Sequence, residues 1–221
     1  MSVTEGFFAA VRAGDCAKVI ALLEEQPELV AAKNERGLSP MMAAVYSGRR
    51  EIRDVLLARG AALELHEAAA AGALSRVKQI VDQDAAAARS YSPDGFPVFA
   101  LAAVFGHRDA VEYLCAKGAD VNAVSTNGTG YTALTGAVAS GHEAVAAFLL
   151  GHGADVNYRY GPRYSPLLTA AANGHLGILK LLLEHGADID AKANDGQTAL
   201  SIAEARGHED VAQFLREHAT A

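Results

Sequence analysis

The feature that most constrains this chain is the recurrence of two short motifs at one spacing. Gly-His begins at Gly106, Gly141, Gly174 and Gly207, at intervals of 35, 33 and 33 residues. The triplet Gly-Ala-Asp begins at Gly118, Gly153 and Gly186, at intervals of 35 and 33 residues. Two motifs that share a period of this length indicate a chain built from repeated structural units. Turn glycines at Gly14, Gly48 and Gly72 extend the series upstream, so we expect about seven units.

The units also share an internal order of capping, apolar and turn residues. Ser39-Pro40, Thr132-Ala133, Ser165-Pro166 and Thr198-Ala199 each open a helix. The hydroxyl caps free backbone N–H groups, and Pro at the first helical position has no N–H to leave unpaired. A turn glycine then ends this helix, and a second helix carries apolar residues at helical spacing. The pattern predicts a helix–turn–helix unit followed by a turn-rich connection.

The segment from Asn194-Asp195-Gly196-Gln197-Thr198-Ala199-Leu200 through Gly207-His208 is similar to the ankyrin-repeat consensus. The resemblance covers essentially the whole chain, which we interpret as one domain over residues 1–221. It implies an all-α solenoid of stacked helix–turn–helix units, with a short hairpin, here called a finger, before each unit. One unit cannot bury its apolar face alone, so stability must come from stacking neighbours.

Three units depart from the pattern. Unit three is about nine residues short, because the chain runs from Gly60 through Leu63 straight into the next helix. We therefore expect its finger to be missing between Leu63 and Glu67, leaving a gap beside Phe96. Unit five has two extra finger residues within 127–130, and unit six fills its finger, residues 158–164, with Tyr, Arg and Pro.

Composition narrows the class of function. The net charge of −7 argues against non-specific binding to nucleic acid or anionic membranes, which requires a broad positive surface. Residues 1–6 show no secretory signal, and no apolar run approaches the ~20 residues of a membrane span. Cys16 and Cys115 are too far apart in sequence to indicate a disulfide framework or zinc site. We expect a cytoplasmic, monomeric protein without a cofactor.

The histidines and the one arginine cluster have structural explanations. Most of the eight histidines fill repeat positions, where the family resemblance implies that they buttress loops by hydrogen bonding, so we predict no metal site. Arg49, Arg50 and Arg53 lie at the start of a second helix among acidic residues, which favours a solvated outer face. Outside the repeat positions the sequence has no nucleophile–base pair or carboxylate dyad, so an enzyme is the least favoured class.

The aromatic residues point to the binding face. The resemblance implies that partners contact the finger tips and the exposed side of each first helix. One finger position, just before the Ser or Thr that opens the helix, holds Leu38, Phe96, Tyr131, Tyr164 and Gln197. Tyr and Arg dominate the energetics of many interfaces. The predicted partner-binding residues are Tyr46, Phe96, Leu101, Phe105, Tyr131, Tyr158, Arg159, Tyr160, Arg163 and Tyr164.

The resulting prediction is a protein–protein interaction module that acts as an adaptor, inhibitor or sequestering protein. Basic residues in the fingers of an otherwise acidic protein favour a partner with an acidic segment. The alternative is a single-stranded nucleic-acid binder, because Tyr and Arg side chains can stack on bases. Some finger rings, Tyr158 or Tyr160 in particular, can instead pack finger against finger.

Overall fold

A computed structural model describes residues 2–35, 37–161 and 164–218. The described residues form fourteen α-helices and two short 3₁₀ helices, Pro27–Ala31 and Ala85–Arg89. The α-helices are α1 Val3–Ala13, α2 Cys16–Glu25, α3 Pro40–Tyr46, α4 Arg50–Ala58, α5 Leu65–Ala71, α6 Leu74–Gln83, α7 Val98–Val104, α8 Arg108–Ala116, α9 Ala133–Ala139, α10 Glu143–Gly151, α11 Pro166–Asn173, α12 Leu176–Glu184, α13 Ala199–Arg206 and α14 Glu209–His218.

Successive helices pack as pairs, from pair one (α1 and α2) to pair seven (α13 and α14). The first helix of each pair also packs against the first helices of its neighbours, which forms one continuous inner row. The second helices form an outer row. The predicted all-α solenoid is confirmed, and one apolar core runs along it between the two rows.

Local sequence explains why the inner helices are short and close together. Ser39 caps α3 by accepting a hydrogen bond from the backbone N–H of Met42, and Pro40 occupies the first helical position. The inner helices are rich in buried alanine, as in residues 68–71 of α5, so neighbouring backbones can approach closely. Gly72 ends α5 with φ +74°, a left-handed conformation that other residues rarely adopt.

The fingers project from the ends of the inner helices. Isolated antiparallel bridges join Tyr91 to Pro97, Tyr160 to Tyr164 and Lys192 to Thr198 at the bases of three fingers. Pair three has no finger, because α4 ends at Ala58 and α5 already begins at Leu65. The expected absence of a hairpin between Leu63 and Glu67 is therefore confirmed.

The same shortened connection disturbs the outer row. Neighbouring outer helices pack against each other at α2 and α4, and again from α6 to α14, but the packing of α4 against α6 is less extensive than any of these. Pairs two and three are thus held together mainly by their inner helices, α3 and α5. A surface cleft of about 660 Å³, lined by residues such as Leu57, Leu63 and Arg76, opens between the separated helices.

Candidate functional site

Three tyrosines stand out on the described surface. Tyr46 is 44% exposed, Tyr91 is 43% exposed and Tyr131 is 36% exposed, whereas most large apolar side chains are buried. Tyr46 ends the inner helix α3, and Tyr91 and Tyr131 lie in the fingers before pairs four and five. The exposed aromatic surface therefore follows the fingers and the ends of the inner helices.

Tyr46 is held by a contact that spans the shortened pair three. Its hydroxyl donates a hydrogen bond to Oδ2 of Asp94 in the finger before pair four, at 2.6 Å. Its ring lies 6.1 Å from the ring of Phe105, centroid to centroid. Partial burial and the Asp94 carboxylate both raise the pKa of Tyr46 above its ordinary value. Burial alone would raise the pKa of Asp94, but hydrogen bonds from Ser92 and Tyr46 bring it below its ordinary value.

The gap left by the missing finger exposes less apolar surface than the sequence suggests. Leu101 is only 3% exposed and belongs to the core, so including it among the partner-binding residues is wrong. Its position on α7 faces the neighbouring inner helices rather than solvent. Phe96 and Phe105 are half-buried and pack against the core. Between the fingers before pairs two and four a depression of about 150 Å³ remains, and Tyr46 lines it.

The fingers before pairs five and six pack against each other. The rings of Tyr131 and Tyr160 lie 5.2 Å apart, and the Tyr160 hydroxyl is hydrogen-bonded to Thr169 of α11. The backbones of Tyr160 and Tyr164 exchange two hydrogen bonds of 3.0 Å. Tyr158, Tyr160 and Tyr164 are half-buried, so only part of each ring is available to a partner. Tyr131 keeps the most exposed ring of this group.

The structure describes one of the two predicted finger arginines, Arg159. Arg159 donates to the backbone carbonyl of Lys192 at 3.0 Å and lies 4.0 Å from the carboxylate of Asp188. It therefore ties the finger before pair six to the finger before pair seven. Arg163 lies outside the described residues, so its predicted contact with a partner stays a prediction.

The residue after each turn glycine forms a ladder along the solenoid, which we call the buttress ladder. In pairs two to seven these positions hold Arg49, Ala73, His107, His142, His175 and His208. His107 Nε2 donates to the Ala70 carbonyl of the preceding pair at 3.0 Å, and His208 Nε2 donates to the Ala172 carbonyl at 3.1 Å. The described residues contain no group of three potential metal ligands.

Arg49 takes the place of a ladder histidine in pair two. Its Nε donates to the Arg12 carbonyl at 3.0 Å, which is the equivalent carbonyl of pair one. A Cβ placed on Gly14 would lie 3.1 Å from the Arg49 side chain, just as one placed on Gly72 would lie 2.5 Å from the His107 ring. The ladder thus places a side chain of the next pair over five turn glycines: Gly14, Gly72, Gly106, Gly141 and Gly174.

Ala73 interrupts this ladder, since its methyl group can neither reach nor hydrogen-bond the turn of pair two. A Cβ placed on Gly48 would meet no atom within 4 Å. A cleft of about 520 Å³ lies here, and we call it the arginine cleft. Its lining is Ala44, Val45, Tyr46, Gly48, Arg49, Arg50, Arg53, Ala70, Val104, Phe105, His107, Ser140 and His142.

The arginine cleft was not anticipated from the sequence, which favoured a solvated outer face for Arg49, Arg50 and Arg53. Arg49 and Arg50 are exposed, as predicted, and together with Arg53 they line one cleft with Tyr46 and Phe105, two of the predicted partner-binding residues. The cleft could have been found by aligning the repeats, because Ala73 is the one small residue among six ladder positions. The arginine cluster is visible in the sequence of a single unit, but the role of Ala73 appears only when the units are aligned.

Comparison with known proteins supports the repeat assignment. A family model described as "Ankyrin repeats (3 copies)" matches residues 65–160 and 159–221, so the match covers most of the chain and begins at α5. A search of curated proteins found no match. None of the described helices has the length and apolar character needed to cross a membrane. The extent of the family match and the stacked helix pairs lead to one conclusion: the chain belongs to the ankyrin-repeat family.

Proposed function

We propose that this protein binds another protein through the face formed by its fingers and the ends of its inner helices. Ankyrin repeats generally serve as protein–protein interaction modules. The observation that carries the proposal is the exposure of Tyr46, Tyr91 and Tyr131 along this one face. Tyrosine supplies a large contact area with few rotatable bonds, so burying it against a partner costs little conformational entropy.

The finer assignment follows the same face. The candidate contact residues are Tyr46, Tyr91, Phe96, Phe105, Tyr131, Tyr158, Arg159, Tyr160, Arg163 and Tyr164. We propose a monomeric, cytoplasmic adaptor, inhibitor or sequestering protein whose partner offers an acidic segment. The two half-buried tyrosines that brace the fingers, Tyr160 and Tyr164, contribute the shape of the surface more than free contact area.

The test begins by capturing the partner from the native source and measuring its affinity for purified variants. Tyr91→Ala is the most informative change, because the Tyr91 side chain has no hydrogen bond or ring contact within the described part of the chain. We expect binding to weaken by about 1–4 kcal/mol, as for a central aromatic anchor, with an unchanged unfolding midpoint. Tyr131→Ala should weaken binding similarly but also lose its contact with Tyr160.

Glu184→Lys provides the control, because Glu184 is exposed at the end of the outer helix α12, away from the fingers. Its replacement should leave affinity within error of the wild-type value. Loss of binding in Glu184→Lys together with normal binding in both tyrosine variants would place the partner on the outer face and refute the proposal. Single-stranded RNA that competes with the captured protein would favour the nucleic-acid alternative.

A further inference from the structure

The arginine cleft brings together three arginines, of which only Arg53 is paired with an acidic residue in the described part of the chain. Among the residues that the structure describes, the lining of the cleft includes no Asp or Glu. Arg49 uses its Nε to hold the Arg12 carbonyl, and Arg53 is paired with its neighbour Asp54 at 2.8 Å. The side chain of Arg50 has no hydrogen bond or ion pair to any residue that the structure describes.

Pair four holds its equivalent arginine in a different way. Arg108 occupies the same position at the start of α8 that Arg50 occupies at the start of α4. Arg108 is neutralised by Glu112, one turn later, with Nε and Oε1 2.6 Å apart. In pair two the corresponding acidic residue, Asp54, is taken by Arg53 instead. Arg50 is therefore left to interact with something outside the described chain.

The position of the arginines on their helix adds to the positive potential. Arg49 is the N-cap of α4, and Arg50 and Arg53 lie in its first turn and just after it. Cations are disfavoured at a helix N-terminus, where the helix dipole and the free N–H groups attract negative charge. An anion bound at the mouth of the cleft would relieve this repulsion.

The apolar walls of the cleft and its position at the surface indicate which class of anion fits it. Tyr46, Val104 and Phe105 provide apolar walls, and the exposure of Tyr46 and Arg50 shows that the cleft lies at the surface. Burial lowers the pKa of His107, and the charge on Arg53 lowers it further, although the bond to the Ala70 carbonyl opposes both effects. The arginines, which stay charged at any physiological pH, supply the permanent positive charge of the cleft. An open site with apolar walls suits side chains of an extended peptide.

We propose that the arginine cleft binds clustered Asp or Glu side chains of an extended segment of the partner protein, with one apolar side chain against Tyr46 and Phe105. Arginine presents paired N–H donors that match the two oxygens of a carboxylate. The net charge of −7 disfavours a nucleic-acid strand, which would need a longer basic track. This inference rests on the proposed protein-binding function and names the chemistry of the partner.

The experiment uses a random dodecapeptide library displayed on phage and the full chain as target. Selections run in parallel on the wild type, on Arg50→Gln/Arg53→Gln, on Ala73→His and on Arg108→Gln. Ala73 borders the neighbouring cleft of about 660 Å³, but a histidine ring at this position should extend over Gly48 and enter the arginine cleft while the arginines stay in place. Arg108→Gln removes one positive charge at the equivalent repeat position outside the cleft, and circular dichroism checks that every variant is folded.

We expect the wild type and Arg108→Gln to enrich peptides with clustered Asp or Glu and an adjacent apolar residue at least tenfold. The other two variants should lose this enrichment. A synthetic peptide from the selection should bind Arg50→Gln/Arg53→Gln at least tenfold more weakly in fluorescence anisotropy. Replacing the Glu residues of this peptide with Gln should weaken its binding to the wild type by the same factor. The same replacement should not weaken its binding to the double variant any further.

Three results would overturn the inference: no acidic enrichment, equal binding of selected peptides to the double variant, or stronger arginine-dependent binding of a dodecauridylate RNA. Binding of the native partner to Tyr91→Ala distinguishes failure of the cleft assignment from failure of the proposed protein-binding face. If the native partner depends on Tyr91 but not on Arg50 and Arg53, the protein-binding face stands and the cleft assignment fails. If it depends on the arginines but not on Tyr91, the cleft stands and the finger assignment fails.

Discussion

The turns of pair two and pair three share a backbone conformation but differ in what covers them. Gly48 has φ +65° and Gly72 has φ +74°, so both are left-handed. The His107 ring lies directly over Gly72, whereas the space over Gly48 is open. The difference comes from the next ladder residue, which is His107 in one case and Ala73 in the other.

This contrast teaches how a repeat protein can make a local site without changing its fold. The inner helices continue through pairs two, three and four, so the solenoid keeps its course. The interrupted ladder and the separated outer helices α4 and α6 leave two clefts at a single junction. In the regular repeats the ladder side chains hydrogen-bond to the preceding pair or pack over its turn glycine. At the irregular junction, Arg50 and Tyr46 stay exposed.

The largest predicted effect compares alanine at the two glycines. Both Gly48→Ala and Gly72→Ala must place a Cβ in the left-handed region, at roughly 1–2 kcal/mol each. In Gly72→Ala the Cβ would also lie 2.5 Å from His107, so the ring must move and its bond to the Ala70 carbonyl is weakened. Because this bond is only partly buried, its loss adds about 0.5–1.5 kcal/mol. Urea unfolding should therefore show a clearly lower midpoint for Gly72→Ala than for Gly48→Ala.

Equal midpoints for the two variants would contradict this comparison, because they would show that the ladder ring adds nothing to the turn. Gly106→Ala provides a second comparison in the regular part. A Cβ there would lie 2.6 Å from the His142 ring, so this variant should resemble Gly72→Ala.

A smaller effect is expected when the ladder is completed. Ala73 has φ −81° and ψ 67°, close to the −83° and 74° of His107, so a histidine fits the backbone of pair three without strain. In Ala73→His the ring should cover Gly48 and donate to the Tyr46 carbonyl. One such bond contributes about 0.5–1.5 kcal/mol, and the urea midpoint should rise accordingly. A lower midpoint would show that the cleft is not shaped like a missing ladder ring.

Ala73→Gln distinguishes ring packing from hydrogen bonding alone. Its amide can donate to the same carbonyl, but it lacks a ring to cover the turn. If Ala73→Gln stabilises the protein as much as Ala73→His, the hydrogen bond accounts for the gain. If only histidine stabilises it, packing over Gly48 is the larger part.

The backbone features of this protein could be predicted from its sequence. The spacing of Gly106, Gly141, Gly174 and Gly207 encodes the repeated turns, and nine absent residues after Gly60 encode the missing finger. These features depend on chain length and on residues with special backbone conformations. Such properties are local, so they can be read without knowing what lies nearby in space.

Side-chain exposure was harder to predict, because it depends on neighbours from other repeats. Leu101 belongs to α7, in which every residue from Val98 to Ala103 is buried between its neighbours, and the structure buries it with them. The contact between Tyr131 and Tyr160 depends on how two unusual fingers lean together, which repeat alignment does not contain. The arginine cleft required comparing the ladder position across all pairs.

The smallest predicted effect concerns the link between Tyr46 and Asp94 that crosses pair three. Tyr46→Phe removes this hydrogen bond and should lower the free energy of unfolding by about 0.5–1 kcal/mol at pH 7, because both groups are partly exposed. The lowered pKa of Asp94 sets the acid limit. The stabilisation that ionised Asp94 contributes is present above its unfolded pKa of about 3.9 and is lost as the pH falls through its folded pKa. The raised pKa of Tyr46 sets the alkaline limit, since the contribution is lost as the pH rises through it.

Urea unfolding of wild type, Tyr46→Phe, Asp94→Asn and the double variant gives the coupling between the two residues. Coupling at pH 7 that shrinks at pH 3.5 supports the link. Additive single effects at pH 7 would show that Tyr46 stays beside Phe105 through ring packing alone.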